Sequence, residues 1–361
     1  MAAQQQQRPP PPRGAVVFLH GSGGNGRDLT WMLRAAGFED ELKDLGLELH
    51  CPTAPPRPYS MIGGMRQTVW FDRLDLHPDA PEDVKGADAS YELLRDLLVK
   101  LQEKGIGSGS VFLGGFSMGG GMAMQFLARH PEPLAGVFGF GSFLATTSVV
   151  YGKLQLSAAA HTTPVLLGHG QADSAVLYEW GLETARRLHE SLSGAAAAED
   201  APSSASSPKV SFFGFPRLDH ELDQRELALL LGWLRKGGAE VPDAAPLNQR
   251  FARLGGVVQE TLEPAPREDD LPMTVVEDGS SGSTTITLRV PEAAIPALLA
   301  HPIAARGAHF SLSRGPQPGT VQTTFVSPRP HEVGETIRER LRARLRNPDG
   351  AREAGGVCPT S

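Results

Sequence analysis

The sequence is poor in cysteine, with two in 361 residues, Cys51 and Cys358. So few thiols exclude a disulfide-stapled secreted scaffold and a multi-cysteine zinc module. No apolar run reaches the ~18 residues of a membrane span. The opening MAAQQQQRPPPPRG carries no apolar stretch behind its charge, so it does not read as a secretory signal peptide. An excess of basic charge is lacking too. The 34 Lys and Arg against 41 Asp and Glu leave a net charge of −7, which disfavours a dedicated nucleic-acid binder. These absences lead to the expectation of a cytoplasmic chain in a reducing compartment, with no nucleic-acid partner and no stable membrane insertion. The length suits two or three domains of roughly 100–200 residues, or one large domain with extensions, and is ample for a core that needs no staple.

Gly and Pro, by contrast, are plentiful at 41 and 30, and they punctuate the chain. Residues 1–13 are Gln- and Pro-rich and are expected to be a disordered arm. From Gly14, apolar runs bounded by Gly and Pro predict buried strands at 15–19, 47–51, 110–115, 135–140, 164–168 and 210–215. Helical spacing predicts helices at 87–104, 120–130, 176–192 and 221–235. In the first of these, Tyr91, Leu94, Leu97, Leu98 and Leu101 share one face. Strand alternating with helix is the pattern of an α/β domain, here 14–240, with a mostly parallel sheet covered by helices on both faces. Within it, SLSGAAAAEDAPSSASSP (191–208) reads as a low-complexity surface loop. A linker is expected at 241–255, then a small α+β domain at 256–346 and a disordered tail at 347–361. In the small domain the pattern predicts strands at 272–276, 284–290, 308–313 and 320–326, with helices at 291–301 and 332–346.

The sharpest motif is Gly115-Phe116-Ser117-Met118-Gly119, a G-x-S-x-G between a predicted strand and a predicted helix. A nucleophile held on a strained strand-to-helix turn needs small flanking residues so that neighbouring backbone can approach. Gly120 and Gly121 are expected to let the helix pack close to the sheet. A serine hydroxyl also needs a base and an orienting acid, and on such an elbow the chain order is Ser, acid, His. Asp173, just past strand 164–168, and His220, just past strand 210–215, satisfy that order at strand ends, where open α/β sheets collect their sites. His161 precedes a strand, His189 lies in a helix pattern, and His169 reads as a packed loop histidine. Asp219 reads as a loop cap. Two backbone amides are expected to form an oxyanion hole: that of Met118, after the nucleophile, and that of Ser22, in the glycine-rich loop after the first strand. His20 reads as a brace for that loop, which has no G-x-x-x-x-G-K-[ST] phosphate signature. Trp70 and Phe71 are candidates for an acyl cleft, set against the commoner role of buried aromatics in a core.

Taken together, FLHGSGG (18–24), CPTAPPRPYSMIGGM (51–65), VWFDR (69–73), GGFSMGGGMAM (114–124), GHGQAD (168–173) and RLDHEL (217–222) resemble the acyl-protein thioesterase and lysophospholipase family. The likeness covers about 14–238. It implies an α/β-hydrolase fold and hydrolysis of acyl esters or thioesters, with no metal and no cofactor. By the same resemblance Ser117 matches the nucleophile, Asp173 the acid, His220 the base, and Ser22 and Met118 the oxyanion amides. The substrates it implies are acylated proteins or small acyl esters. Palmitoyl-protein thioesterases of the family usually carry Leu and Gln where this chain has Ser22 and Met118. That departure spares the backbone amides but bears on the acyl pocket.

The resemblance does not reach the C-terminal region. There Val333, Ile337, Leu341 and Leu345 recur at a spacing of four, with arginines between them. This reads as an amphipathic helix on a small sheet, its Arg face solvated, rather than as a contact for RNA, phospholipid headgroups or an acidic partner. The final Cys358-Pro359-Thr360-Ser361 is a poor prenylation signal. A second functional reading is a scaffold that binds an unidentified partner through 256–346, its hydrolase domain vestigial.

Overall fold

The fold is built on β1 (Gly14–Leu19), whose side chains all lie inside the protein. Alternate residues of this strand feed two cores, one on each face of the sheet. Ala15, Val17 and Leu19 join one apolar cluster, while Val16 and Phe18 join the other. The structure, a computed structural model, describes residues 12–193, 210–240, 243–262, 273–278, 283–289, 303–305, 308–310, 313–314 and 320–325.

After β1 come α1 (Gly26–Ala35), α2 (Phe38–Asp44), β2 (Leu47–His50) and a hairpin of β3 (Pro56–Tyr59) and β4 (Met65–Thr68). Next are α3 (Val84–Glu103), β5 (Val111–Phe116), α4 (Met118–Leu127), β6 (Gly136–Phe140), α5 (Val149–Leu156), β7 (Val165–Gly170) and α6 (Tyr178–Ser193). The unit closes with β8 (Val210–Phe215), α7 (Gln224–Arg235), α8 (Ala244–Arg250) and β9 (Val258–Glu260). The main sheet runs β2-β1-β5-β6-β7-β8-β9, and every pairing in it is parallel except β8 with β9. Helices α3, α4, α5 and α6 cover one face, and α1, α2 and α7 the other. The expected α/β architecture is therefore present. The chain lays β2 on one side of β1 and then crosses to β5 on the other, so the carboxyl ends of β1 and β5 open a crevice where loops converge.

The expected linker at 241–255 is different. Its described part holds α8, capped by Asp243 accepting from Ala245 N–H at 2.9 Å. Pro246 is tolerated there because it falls in the first helical turn. Phe251 and Val257 are buried, and β9 pairs with Phe212–Gly214 of β8. The apolar positions of 244–260 thus belong to the unit built on the main sheet, so neither the expected linker nor the first residues of the expected small domain stand apart from it. The chain divides into compact units Met1–Glu263 and Pro264–Ser361. In the second unit β10 (Met273–Asp278), β11 (Ser283–Arg289), β12 (Ile303–Ala305), β13 (Ala308–Phe310), β14 (Ser313–Arg314) and β15 (Thr320–Phe325) are described. Strands β10-β11-β15-β14 form an antiparallel sheet, and β12 pairs with β13. The helices expected at 291–301 and 332–346 fall outside the described residues, as do the arm 1–11, most of the loop 191–208 and the tail. Among the described residues no helix is long and apolar enough to cross a membrane.

Candidate active site

Four strand ends build the site. Strand β5 ends at Phe116 and α4 begins at Met118, so Ser117 alone turns the chain. Its φ of 55° and ψ of −123° are backbone values that a residue with a Cβ adopts only under strain. Such a position costs on the order of 1–3 kcal/mol and persists only where the surroundings over-determine it. Here they do. Ser117 N–H donates to Phe140 O at 2.8 Å, Gly121 N–H donates to Ser117 O at 3.2 Å, and Ser142 Oγ donates to Ser117 O at 2.9 Å. A Cβ at Gly119 would collide with Leu19 O, and one at Gly120 with Ser142 Oγ. Gly121 differs from the expectation: a Cβ there would meet nothing closer than 3.5 Å, so close packing of α4 rests on the other two glycines.

Strand β7 carries the chain to Asp173 and β8 carries it to His220. His220 Nε2 lies 3.0 Å from Ser117 Oγ, and His220 Nδ1 lies 2.8 Å from Asp173 Oδ2. The imidazole also rests against the Phe116 ring, with centroids 4.8 Å apart. The Asp173 carboxylate is 1% exposed. Its Oδ1 accepts from the N–H groups of Ala175 at 3.0 Å and Val176 at 2.7 Å. Burial pushes its pKa up, but hydrogen bonds from His169, His220 and Val176 more than offset that, leaving it well below the usual carboxylate range. Asp219 ties the two loops together, accepting from Ser174 N–H at 2.8 Å, Ser174 Oγ at 2.9 Å and His220 N–H at 2.8 Å. His161 and His189 stand away from this cluster: His161 lies against Leu192 O and His189 against Ser193 Oγ.

The loop after β1 lies beside Ser117, with a Cβ at Gly21 falling 3.3 Å from that of Ser117. Met118 opens α4, where first-turn N–H groups lack an acceptor within the helix. Ser22 Oγ is 3.7 Å from Met118 Sδ and 3.5 Å from Tyr59 Oη, so the two residues named for an oxyanion hole are neighbours. Strand β4 pins the loop, since Gly23 N–H donates to Thr68 O at 2.9 Å and Thr68 Oγ1 donates to Gly24 O at 2.6 Å. His20 braces it from within. Its Nε2 accepts from Ala54 N–H at 3.0 Å, so Nδ1 carries the proton and donates to Gly21 O at 2.7 Å. Burial lowers the pKa of His20, in keeping with that neutral tautomer.

Of the two aromatics named for a cleft, Trp70 is fully buried and its Nε1–H donates to His20 O at 2.9 Å. Its indole therefore supports the loop and offers no surface to a ligand. Phe71 lines a recess with Arg73, Gln125 and Phe143. The Arg73 guanidinium sits 4.2 Å over the Phe143 ring and 5.2 Å from that of Phe71. Burial lowers its pKa to about 10, which leaves it charged at neutral pH. Nothing in the spacing of the sequence marked Arg73 or Phe143. They meet only because the loop after β4 and the loop after β6 both flank α4.

The crossed parallel sheet with its strand–Ser117–helix turn defines an α/β-hydrolase fold. A family model described as phospholipase/carboxylesterase matches residues 3–235, and the chain belongs to that family. Among curated relatives, lysophospholipase-like protein 1 of Mus musculus is 35% identical over 221 residues, covering 61% of this chain and 85% of that protein. Acyl-protein thioesterase 1 of Candida albicans is 27% identical over 175 residues, covering 48% of this chain and 75% of that one. The crystal structure of Zea mays acyl-protein thioesterase 2 superposes with a TM-score of 0.52 at 28% identity, covering 64% of this chain and 96% of that chain.

Proposed function

We propose that the chain is a serine hydrolase of acyl esters and thioesters, with Ser117 as nucleophile, His220 as general base and acid, and Asp173 as its orienting carboxylate. The observation that carries this reading is the single imidazole lying 3.0 Å from Ser117 Oγ and 2.8 Å from Asp173 Oδ2. His220 Nε2 accepts the Ser117 proton as Oγ bonds to the acyl carbon, while Asp173 holds the Nδ1–H tautomer. The carbonyl oxygen becomes an oxyanion that accepts from the backbone N–H groups of Ser22 and Met118. The C–O or C–S bond then breaks, and the leaving alcohol or thiol takes the proton from Nε2. Water repeats the sequence on the acyl-serine, releasing the carboxylic acid and restoring Ser117 Oγ–H.

Short acyl chains suit the site better than long ones. Gly121, one turn along α4 from Ser117, faces the recess where the Arg73 cation lies between two aromatic rings. A long apolar chain laid there would have to lie against a buried cation, a poor neighbour for hydrocarbon.

The test is labelling by a fluorophosphonate, together with turnover of p-nitrophenyl esters and acyl thioesters of increasing chain length. Ser117→Ala should lose both labelling and at least about 10⁴-fold in kcat. A folded wild-type protein that neither labels nor turns over any ester or thioester would overturn the proposal. Turnover that rises steadily toward sixteen-carbon chains would overturn the chain-length preference alone.

A further inference from the structure

Asp173 is shared by two histidines. Besides His220, the fully buried His169 at the end of β7 brings its Nε2 to 3.2 Å from Asp173 Oδ2 and 2.8 Å from Val176 O. A carbonyl only accepts, so Nε2 carries the proton and Nδ1 carries the lone pair. That single N–H bonds the carbonyl and has the carboxylate as its next nearest acceptor. Oδ1 of Asp173 accepts from the Ala175 and Val176 amides, while Oδ2 accepts from His220 Nδ1 and has His169 Nε2 as a second, longer neighbour.

The other nitrogen of His169 is what makes the arrangement informative. Nδ1 is buried and has no hydrogen-bond partner. It lies against Gly181 of α6, where a Cβ would collide with it, and Tyr178 meets the ring edge-on at 6.0 Å. An unsatisfied buried acceptor carries a desolvation cost that a phenylalanine or leucine of similar size would not incur. A residue held here for packing alone would not retain that cost. What His169 supplies, and an apolar side chain cannot, is an N–H that bonds Val176 O and at the same time stands 3.2 Å from Asp173 Oδ2.

We propose that His169 is a positioning residue: its Nε2–H fixes the rotamer of Asp173 so that Oδ2 stays in line with His220 Nδ1. The inference rests on the reading of Ser117, His220 and Asp173 given above. It adds a fourth side chain that touches neither substrate nor Ser117 and acts only through the carboxylate. No proton passes to or from it. The other titratable groups near the carboxylate are Asp219 from the loop after β8 and Glu226 from α7. Neither hydrogen-bonds to Asp173 Oδ2, so neither can take over this role.

The test uses the full chain, with active sites counted by fluorophosphonate so that kcat refers to labelled molecules. His169→Phe should lower kcat roughly tenfold or more and leave KM within about twofold, because the acyl cleft is untouched. His169→Gln, whose amide N–H can reach the same carboxylate, should recover most of that loss. The low-field proton of the His220–Asp173 hydrogen bond should shift or broaden in the Phe variant and return in the Gln variant. Equal kcat in wild type and Phe variant, or equal losses in the Phe and Gln variants, would overturn the proposal. Should the Phe variant fail to fold, a long-range ¹H–¹⁵N spectrum of the wild type decides. The Nε2–H signal, assigned by its loss in His169→Gln, should shift in Asp173→Asn because the carboxylate shares that proton; an unmoved signal, or an Nδ1–H tautomer, overturns the proposal. A wild type without labelling or turnover would sink the hydrolase reading itself. Normal wild-type activity with an unaffected Phe variant would sink only the role of His169.

Discussion

Two carboxyls within the same unit are pushed in opposite directions, and each has its own pH signature. Asp173 is held below its ordinary value by donors. A depressed carboxylate contributes stability that is present above its unfolded value near 3.9 and is lost as pH falls through the folded value. Asp173→Asn should therefore be destabilised most at pH 7, with the gap to wild type closing below about pH 4 in urea melts. The same change should lower kcat about 10⁴-fold, since an amide cannot hold the His220 tautomer as a carboxylate does. Glu226 is the reverse case. It is buried in the capping box of α7, accepting from Asp223 N–H at 3.1 Å, and burial raises its pKa well above the ordinary range. A raised carboxyl favours the protonated folded state, so its contribution falls as pH climbs past the unfolded value near 4.3. Glu226→Gln keeps an acceptor for the cap and removes the charge. Its Tm relative to wild type should rise between pH 5 and pH 8, and a constant difference across that range would contradict the assignment.

Among the helices and strands, α4 explains much of the site. All ten of its residues are buried, so it is packed on every side and its N-terminus is held against the end of β1. Gly119→Ala would drive a methyl into Leu19 O, backbone against backbone, and should cost most of the esterase activity through displacement of Ser117 and Met118. Gly121→Ala meets only ordinary contacts and gains helix propensity of up to about 1 kcal/mol. It should leave Tm unchanged or raised. Thermal melts and ester turnover of the two variants separate these expectations. The position of α4 was legible because GGFSMGGG combines a strand end, a nucleophile and glycines. The short helices α2 and α5, at 7 and 8 residues, were not, since so few residues show little periodicity. The β3–β4 hairpin was missed for another reason. It contains Pro56, Pro58, Arg66 and Gln67, which lack the apolar alternation of a strand, and its role is to pin the glycine loop rather than to form core.

Along the chain as a whole, the boundary of the hydrolase unit lies after β9. Beyond the sheet pairing, Leu254 O accepts from Arg225 Nη1 at 2.8 Å, and Tyr178 Oη donates to Glu260 at 2.6 Å. Burial of Phe251 and Val257 contributes about 1.5–3 kcal/mol each. A chain ending at residue 240 should therefore be at least about 3 kcal/mol less stable in urea than one ending at residue 263. The longer truncation should retain the ester turnover of the full chain. Comparable midpoints for the two truncations would show that 244–260 adds nothing to the unit.

Local signals were enough to establish the alternating α/β pattern, the six strands of the parallel sheet and the places of Ser117, Asp173 and His220 at strand ends. Each is written in a few neighbouring residues: an apolar run, a glycine-flanked turn, a polar residue just past a strand. Relations between distant segments emerge only when the chain is folded. Trp70 faces His20 O and leaves the cleft, Arg73 meets Phe143 across α4, and the start of the segment read as a separate small domain closes the sheet as β9. His169 is the sharpest instance. Four residues before Asp173 in GHGQAD, it reads from spacing as a packed loop histidine, and the packing is real. Its N–H toward the carboxylate and its partnerless Nδ1 arise where β7, α6 and the loop after β8 converge, a geometry no spacing in the chain encodes.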